Sequence, residues 1–123
     1  MRSTVGMDDE QAGALARSWI DAWNAHDLDR VLDHFSHDVV FTSPLVTTLV
    51  GDPSGAVTGK EQLRAYWRAG LERNEGLHFE LERVYTGVDT IGIAYTNHNG
   101  RSCLETGVVG DDGRITRGWA FYG

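Results

Sequence analysis

The run WIDAWNAHDLDRVLDHFSHDVVFTSP, from Trp19 to Pro44, constrains the fold of this chain more than any other part of it. It reads as the end of a helix, a polar break, a second short helix and a strand. Asp8 and Asp9 offer an N-cap and first-turn carboxylates for a helix predicted to reach about Asn24. Its apolar residues Ala12, Leu15, Ala16, Trp19, Ile20 and Trp23 recur at the three-to-four spacing of one buried stripe. Asn24-Ala25-His26-Asp27 ends that helix and caps the next, predicted from Leu28 to about Phe35 and buried through Leu28, Val31, Leu32 and Phe35. A strand is expected over about Val39 to Ser43. Pro44, which has no N–H, stops its pairing.

Leu45 to Thr58 contains Gly51, Pro53, Ser54 and Gly55 and is predicted to be a loop with at most a short extended piece. A third helix is expected over about Lys60 to Asn74, with Leu63, Trp67 and Leu71 as its stripe and Tyr66 beside them. Strands are expected at about His78–Tyr85, Thr90–His98, Ser102–Val109 and Arg114–Tyr122. Residues 1–7 read as a loose tail and 8–123 as one domain.

Two turn signals set the expected register. A two-residue Asn99-Gly100 turn pairs His98 with Arg101 and hence Ala94 with Glu105. A two-residue Asp112-Gly113 turn pairs Asp111 with Arg114 and hence Glu105 with Ala120. Alternation then places Gly92, Ala94, Thr96, His98, Cys103, Glu105, Gly107, Val109, Thr116, Gly118, Ala120 and Tyr122 on one face. The other face carries Ile91, Ile93, Tyr95, Leu104, Thr106, Val108, Arg117, Trp119 and Phe121. A bulge in either hairpin would exchange part of this assignment. The small face leaves room for a ligand or for the helices, whose Trp19, Trp23, Tyr66 and Trp67 are large enough to fill much of the space. The large apolar face, with Tyr95, Trp119 and Phe121, suits a homodimer interface. In the alternative arrangement the large face is the core and the small face is solvated.

With 123 residues the chain is large enough for one core and too small for two. A net charge of −7 argues against nucleic acid, whose phosphates need a basic surface. No apolar run approaches the roughly 20 residues needed to cross a bilayer, and the first residues lack the apolar stretch of a secretory signal. Cys103 is alone, so a reducing cytoplasmic location is expected.

Glu105 leads the residues that carry chemistry. Placed among small side chains on a central strand, its carboxyl should be desolvated and its pKa raised, making it an acid or a hydrogen-bond donor. The alternative is a Glu hydrogen-bonded to an indole or phenol that only fixes the core. His98 shares the strand face nearer the hairpin and offers a general base at a rim. Tyr122 and Tyr66 offer phenols for a bound oxygen, or satisfied hydroxyls in a core. Phe41, Ser43, Cys103 and Ala120, with Trp19, Trp23, Tyr66 and Trp67, complete the expected ligand-binding wall. No histidine pair has a metal-ligand spacing, and neither metal nor cofactor is expected.

The helix–break–helix–strand run, the later GKEQLRAYWRAGL (Gly59 to Leu71) and the strands joined by Asn-Gly and Asp-Gly resemble one family. This is the SnoaL-like, ketosteroid-isomerase-like branch of the nuclear transport factor 2 superfamily. The resemblance runs from about Asp8 to Gly123. It implies an α+β roll, cystatin-like in outline: a cone-shaped, curved mixed sheet wrapped around three helices. It implies an apolar cavity and a dimer formed through the outer sheet face. Counting back from Gly113-Arg114-Ile115, Glu105 matches the position where ketosteroid isomerases hold a protonated aspartic acid. The isomerase base, an aspartate before the first-strand proline, is Ser43 here, and the first-helix tyrosine is Trp19. Neither can do that work, so authentic ketosteroid isomerase activity is not expected. The expected function is binding, or cofactor-free isomerase-, cyclase- or hydrolase-type acid–base chemistry, on a small hydrophobic oxygenated molecule. The alternatives are a non-catalytic dimeric binding module and a purely structural dimer.

Overall fold

The computed structural model describes residues 8–123; the expected tail, 1–7, lies outside the described residues. Helix α1 spans Asp9–Asn24. Asp8 accepts the Gln11 backbone N–H at 2.7 Å, and Gln11 Oε1 accepts the Asp8 N–H at 3.1 Å, a reciprocal capping box. Its buried stripe is the predicted one with Ala22 added. His26, at φ 55°, turns the chain out of the helix. Asp27 then caps α2, Leu28–Leu32. This helix ends earlier than expected because Phe35 already belongs to strand β1, Phe35–Thr42.

The stretch expected to be a loop holds a helix. Ser43 caps α3, Pro44–Val50, with Pro44 in its first turn and Gly51 closing it at φ 76°. Proline suits that position because its missing N–H has no partner there anyway. A short strand β2, Ala56–Thr58, leads into α4, Gly59–Arg73. Strands β3 (Glu80–Thr86), β4 (Thr90–Thr96), β5 (Ser102–Val109) and β6 (Ile115–Tyr122) complete the chain.

The six strands form one curved, unclosed sheet in the order β2-β1-β6-β5-β4-β3. β1 and β6 run parallel and every other pair is antiparallel, so the sheet is mixed. Helices lie on its concave side, and the fold is α+β as expected, with four helices in place of three.

The register of β4 departs from expectation by one residue. Ile93, not Ala94, pairs with Glu105, and Tyr95 pairs with Cys103. The cause is the turn. Asn97 N–H bonds the Arg101 carbonyl at 3.0 Å, closing a three-residue loop with Gly100 at φ 77°. Asn97 Oδ1 accepts the N–H groups of Asn99 and Arg101, at 2.9 and 3.0 Å, and locks that loop. Every β4 side chain therefore changes face. Ile91, Ile93 and Tyr95 point inward and are buried, while Gly92, Ala94 and Thr96 lie on the outer side. Tyr95, expected at the dimer face, is only 3% exposed and belongs to the core.

The second hairpin also closes with three residues, since Gly110 N–H bonds the Arg114 carbonyl at 2.8 Å. A bulge between Val108 and Val109 and their partners then shifts the register back, so Glu105 does face Ala120. Two departures offset each other there. Ile115 takes the inward position and Thr116, expected on the small face, is exposed.

Candidate functional site

The concave side is lined by aromatic rings in mutual edge, tilted and stacked contact. Trp19 lies 5.6 Å from Tyr95 and 6.1 Å from Trp23, centroid to centroid. Trp67 meets Trp23 and Phe35 at 5.1 Å and Phe41 at 5.4 Å. Beside these rings a pocket of about 310 Å³ remains. Its walls are Trp23 from α1, Phe41 from β1, Leu45 and Leu49 from α3, and Tyr66 and Trp67 from α4. Phe79, Tyr95, Cys103, Glu105 and Tyr122 come from the sheet side. Its mouth is formed by Asn74 and Leu77 after α4 and by Asn97, His98, Asn99 and Arg101 of the β4–β5 turn.

Glu105 sits at the inner end. Half-buried, it lines both the pocket and a void of about 10 Å³ behind it, walled by Trp19, Phe35, Phe41, Ile91 and Ile93 among others. Burial alone pushes its pKa up to about 8, with no charge or hydrogen bond among the described residues offsetting it. Ile93, Gly107 and Ala120 around it are apolar, so the desolvation expected from the sequence holds although one neighbour has changed.

Three phenols gather near this carboxyl. Tyr66 Oη donates to Ser43 Oγ at 3.1 Å inside the wall. Burial, and then the nearby Glu105 charge, push the Tyr66 phenol up to about 12 despite that bond. The Tyr122 and Tyr95 phenols are raised further, again by burial first and the Glu105 carboxylate second. Cys103 is raised by burial and by Glu105, and Arg101 draws it partly back, so its thiol is a poor nucleophile at neutral pH.

The structure thus brings Glu105, Tyr122, Trp23, Phe41, Tyr66, Trp67 and Cys103 to one pocket, with His98 at its mouth. Three expected wall residues do not line it. Trp19, 1% exposed, lies deeper, against the small void. Ser43 is enclosed behind Tyr66, and Ala120 is covered in the sheet. Leu45, Leu49, Phe79, Tyr95 and Arg101 were missed. For Leu45 and Leu49 the signal was present, a four-residue spacing behind the Ser43-Pro44 cap; for Tyr95 it was hidden by the register.

The Nε1 atoms of Trp19 and Trp23 and the Ser36 Oγ are buried without a hydrogen-bond partner among the described residues. Among those residues no group of three metal-ligating side chains converges, and no helix is long and apolar enough to cross a membrane.

The model of the SnoaL-like domain matches residues 16–122. A SnoaL-like protein of unknown function from Burkholderia thailandensis superimposes with a TM-score of 0.92 at 41% identity, over 96% of this chain and 98% of that one. TerC, co-crystallised with polyporic acid, superimposes at 0.75 with 13% identity over 92% of each chain. A loop-truncation variant of IdmH also gives 0.75, at 18% identity over 90% and 91%. No protein of curated function matches the chain. The family match over most of the length and the 41% relative lead to one conclusion. The chain belongs to the SnoaL-like family.

Proposed function

We propose that this protein binds a small, mainly apolar, oxygen-bearing molecule in the pocket and performs acid–base chemistry at a carbonyl or hydroxyl oxygen held by Glu105. The single observation that carries the reading is the Glu105 carboxyl, half-buried in the lining of an aromatic pocket and pushed up to about 8 by the apolar surroundings. A neutral carboxyl donates a hydrogen bond where a carboxylate cannot, and donation to a carbonyl oxygen stabilises the charge that develops on enolisation. Tyr122 stands in the same wall as a second donor, and His98 at the mouth is the imidazole of the lining, placed to exchange protons between the pocket and solvent and not to touch the held oxygen. TerC, of the same fold, has been crystallised with polyporic acid, which supports a small organic ligand as the occupant.

The exposed position of His98 and the presence of Ser43 before the proline favour a second reading, a binding module without turnover. Hydrogen–deuterium exchange at the α-carbons of 2-tetralone, followed by NMR, separates the two. Acceleration over buffer that is lost in Glu105→Ala supports the catalytic reading. Saturable binding without acceleration supports the module, and the absence of both overturns the pocket as a ligand site.

A further inference from the structure

The mouth of the pocket has a charge opposite to that of the molecule. The chain carries a net −7, yet the permanent cation in the pocket lining is Arg101 and the one carboxyl there is Glu105, at the far end. Arg101 is held in place twice. Its guanidinium carbon lies 5.2 Å from the centre of the Tyr122 ring, itself a pocket wall, and its Nε donates to the main-chain oxygen of Gly123, the last residue of the sequence, at 3.0 Å. That bond uses the inner edge of the fork. Among the described residues no Asp or Glu side chain pairs with the guanidinium, and its two terminal amino groups have no hydrogen-bond partner there.

The neighbours on the rim add donors. Asn97 spends its Oδ1 on two backbone N–H groups, so what it offers a ligand is its amide N–H₂. Arg101 closes the turn immediately before β5, and Cys103 and Glu105 follow at two-residue spacing along that strand, all three in the pocket lining. The cation at the mouth and the carboxyl at the inner end are therefore separated by about 13 Å of backbone rise, at about 3.3 Å per residue, with aromatic wall between them.

We propose, resting on the pocket being a ligand site, that the ligand is an amphipathic carboxylic acid, with its carboxylate on Arg101 at the mouth and its apolar body, ending in a second oxygen, against Glu105. A guanidinium fixed by stacking and by one hydrogen bond loses little freedom when it takes a carboxylate, and its planar fork matches one. The rim placement lets the acid remain partly hydrated, so its full desolvation is not required.

The test uses the full chain and two probes of equal ring size, 6-hydroxy-2-naphthoic acid and 2-naphthol, titrated at pH 7 and low salt by tryptophan fluorescence. The acid should bind about tenfold more tightly, the range expected for hydrogen bonds to a charged group. Arg101→Gln should bring the acid down to the naphthol while leaving the naphthol affinity unchanged, and Arg101→Lys should keep part of the preference. Arg83→Gln, which removes a cation from outside the pocket, should keep all of it. Equal binding of the two probes to the unaltered protein, or a loss of preference in Arg83→Gln as large as in Arg101→Gln, would overturn the proposal and leave the pocket reading standing. Failure of both probes to bind would remove the pocket reading as well.

Discussion

Ser43 Oγ is the meeting point of two donors, the Tyr66 hydroxyl at 3.1 Å and the Leu45 backbone N–H at 3.2 Å. One serine, 1% exposed, thereby starts α3 and ties it to α4. Ser43→Ala should destabilise the protein by about 1–3 kcal/mol, because it removes a helix cap and strands a buried phenol. Tyr66→Phe should cost less, about 1 kcal/mol, since it removes the donor that would otherwise be stranded. In urea titrations the double variant should cost less than the two single changes added together. Strict additivity would show that the contact is energetically empty.

Glu105 should make stability fall with pH. Its folded-state pKa is raised, to about 8 from 4.5. Between those values the native state holds a proton that the unfolded chain has released. The stabilisation is complete below about 4.5 and is lost progressively as pH rises through 8. Glu105→Gln removes this dependence and should stabilise the protein at pH 7 by up to about 3 kcal/mol. The curve of the variant minus the unaltered protein, from denaturant midpoints across pH 4–9, gives the answer. A flat difference curve would mean an ordinary, solvated carboxyl.

No appreciable isomerisation of 5-androstene-3,17-dione is expected. Ser43 stands where a carboxylate base would be needed, and Trp19 is packed beneath the pocket, away from any ligand. Absorbance at the conjugated-enone maximum should stay at the buffer rate. A fast rise would require another base, and the His98→Gln variant would identify it.

A second copy of this chain is the proposed partner of the outer sheet face. Phe121 is 50% exposed there and Arg117 lies 5.8 Å over the Trp119 ring. Trp119→Glu should convert a dimer to monomer in size-exclusion chromatography with light scattering. An unchanged dimer would move the interface elsewhere, and Tyr95 has no part in it because it is buried inside.

The helix stripes were legible because burial and period coincide in them: Leu15, Trp19 and Trp23 lie one turn or so apart and all are covered. Glu105 was legible for a different reason. Its desolvation depends on having apolar neighbours, and Ile93 serves as well as Ala94. The partners of β4 were not legible, because Asn99-Gly100 fits a two-residue and a three-residue turn equally. The deciding contact is the Asn97 side chain on the turn backbone, a choice made by hydrogen bonding and not by composition. Helix α3 was masked by Gly51, Pro53, Ser54 and Gly55, which made all of 45–58 read as a loop although Ser43-Pro44 starts a helix and Gly51 only stops it.

Helix α3 supplies two pocket side chains, Leu45 and Leu49, yet Val46 is its one buried residue. On the proposed ligand reading, selectivity for size would rest on a segment with one buried residue. Variants at 45 and 49 can enlarge or narrow the pocket without a cavity opening among the tryptophans. In a scaffold of this kind the preferred ligand can diverge between relatives faster than the fold does, and a library built at those two positions is where a new specificity should be sought first.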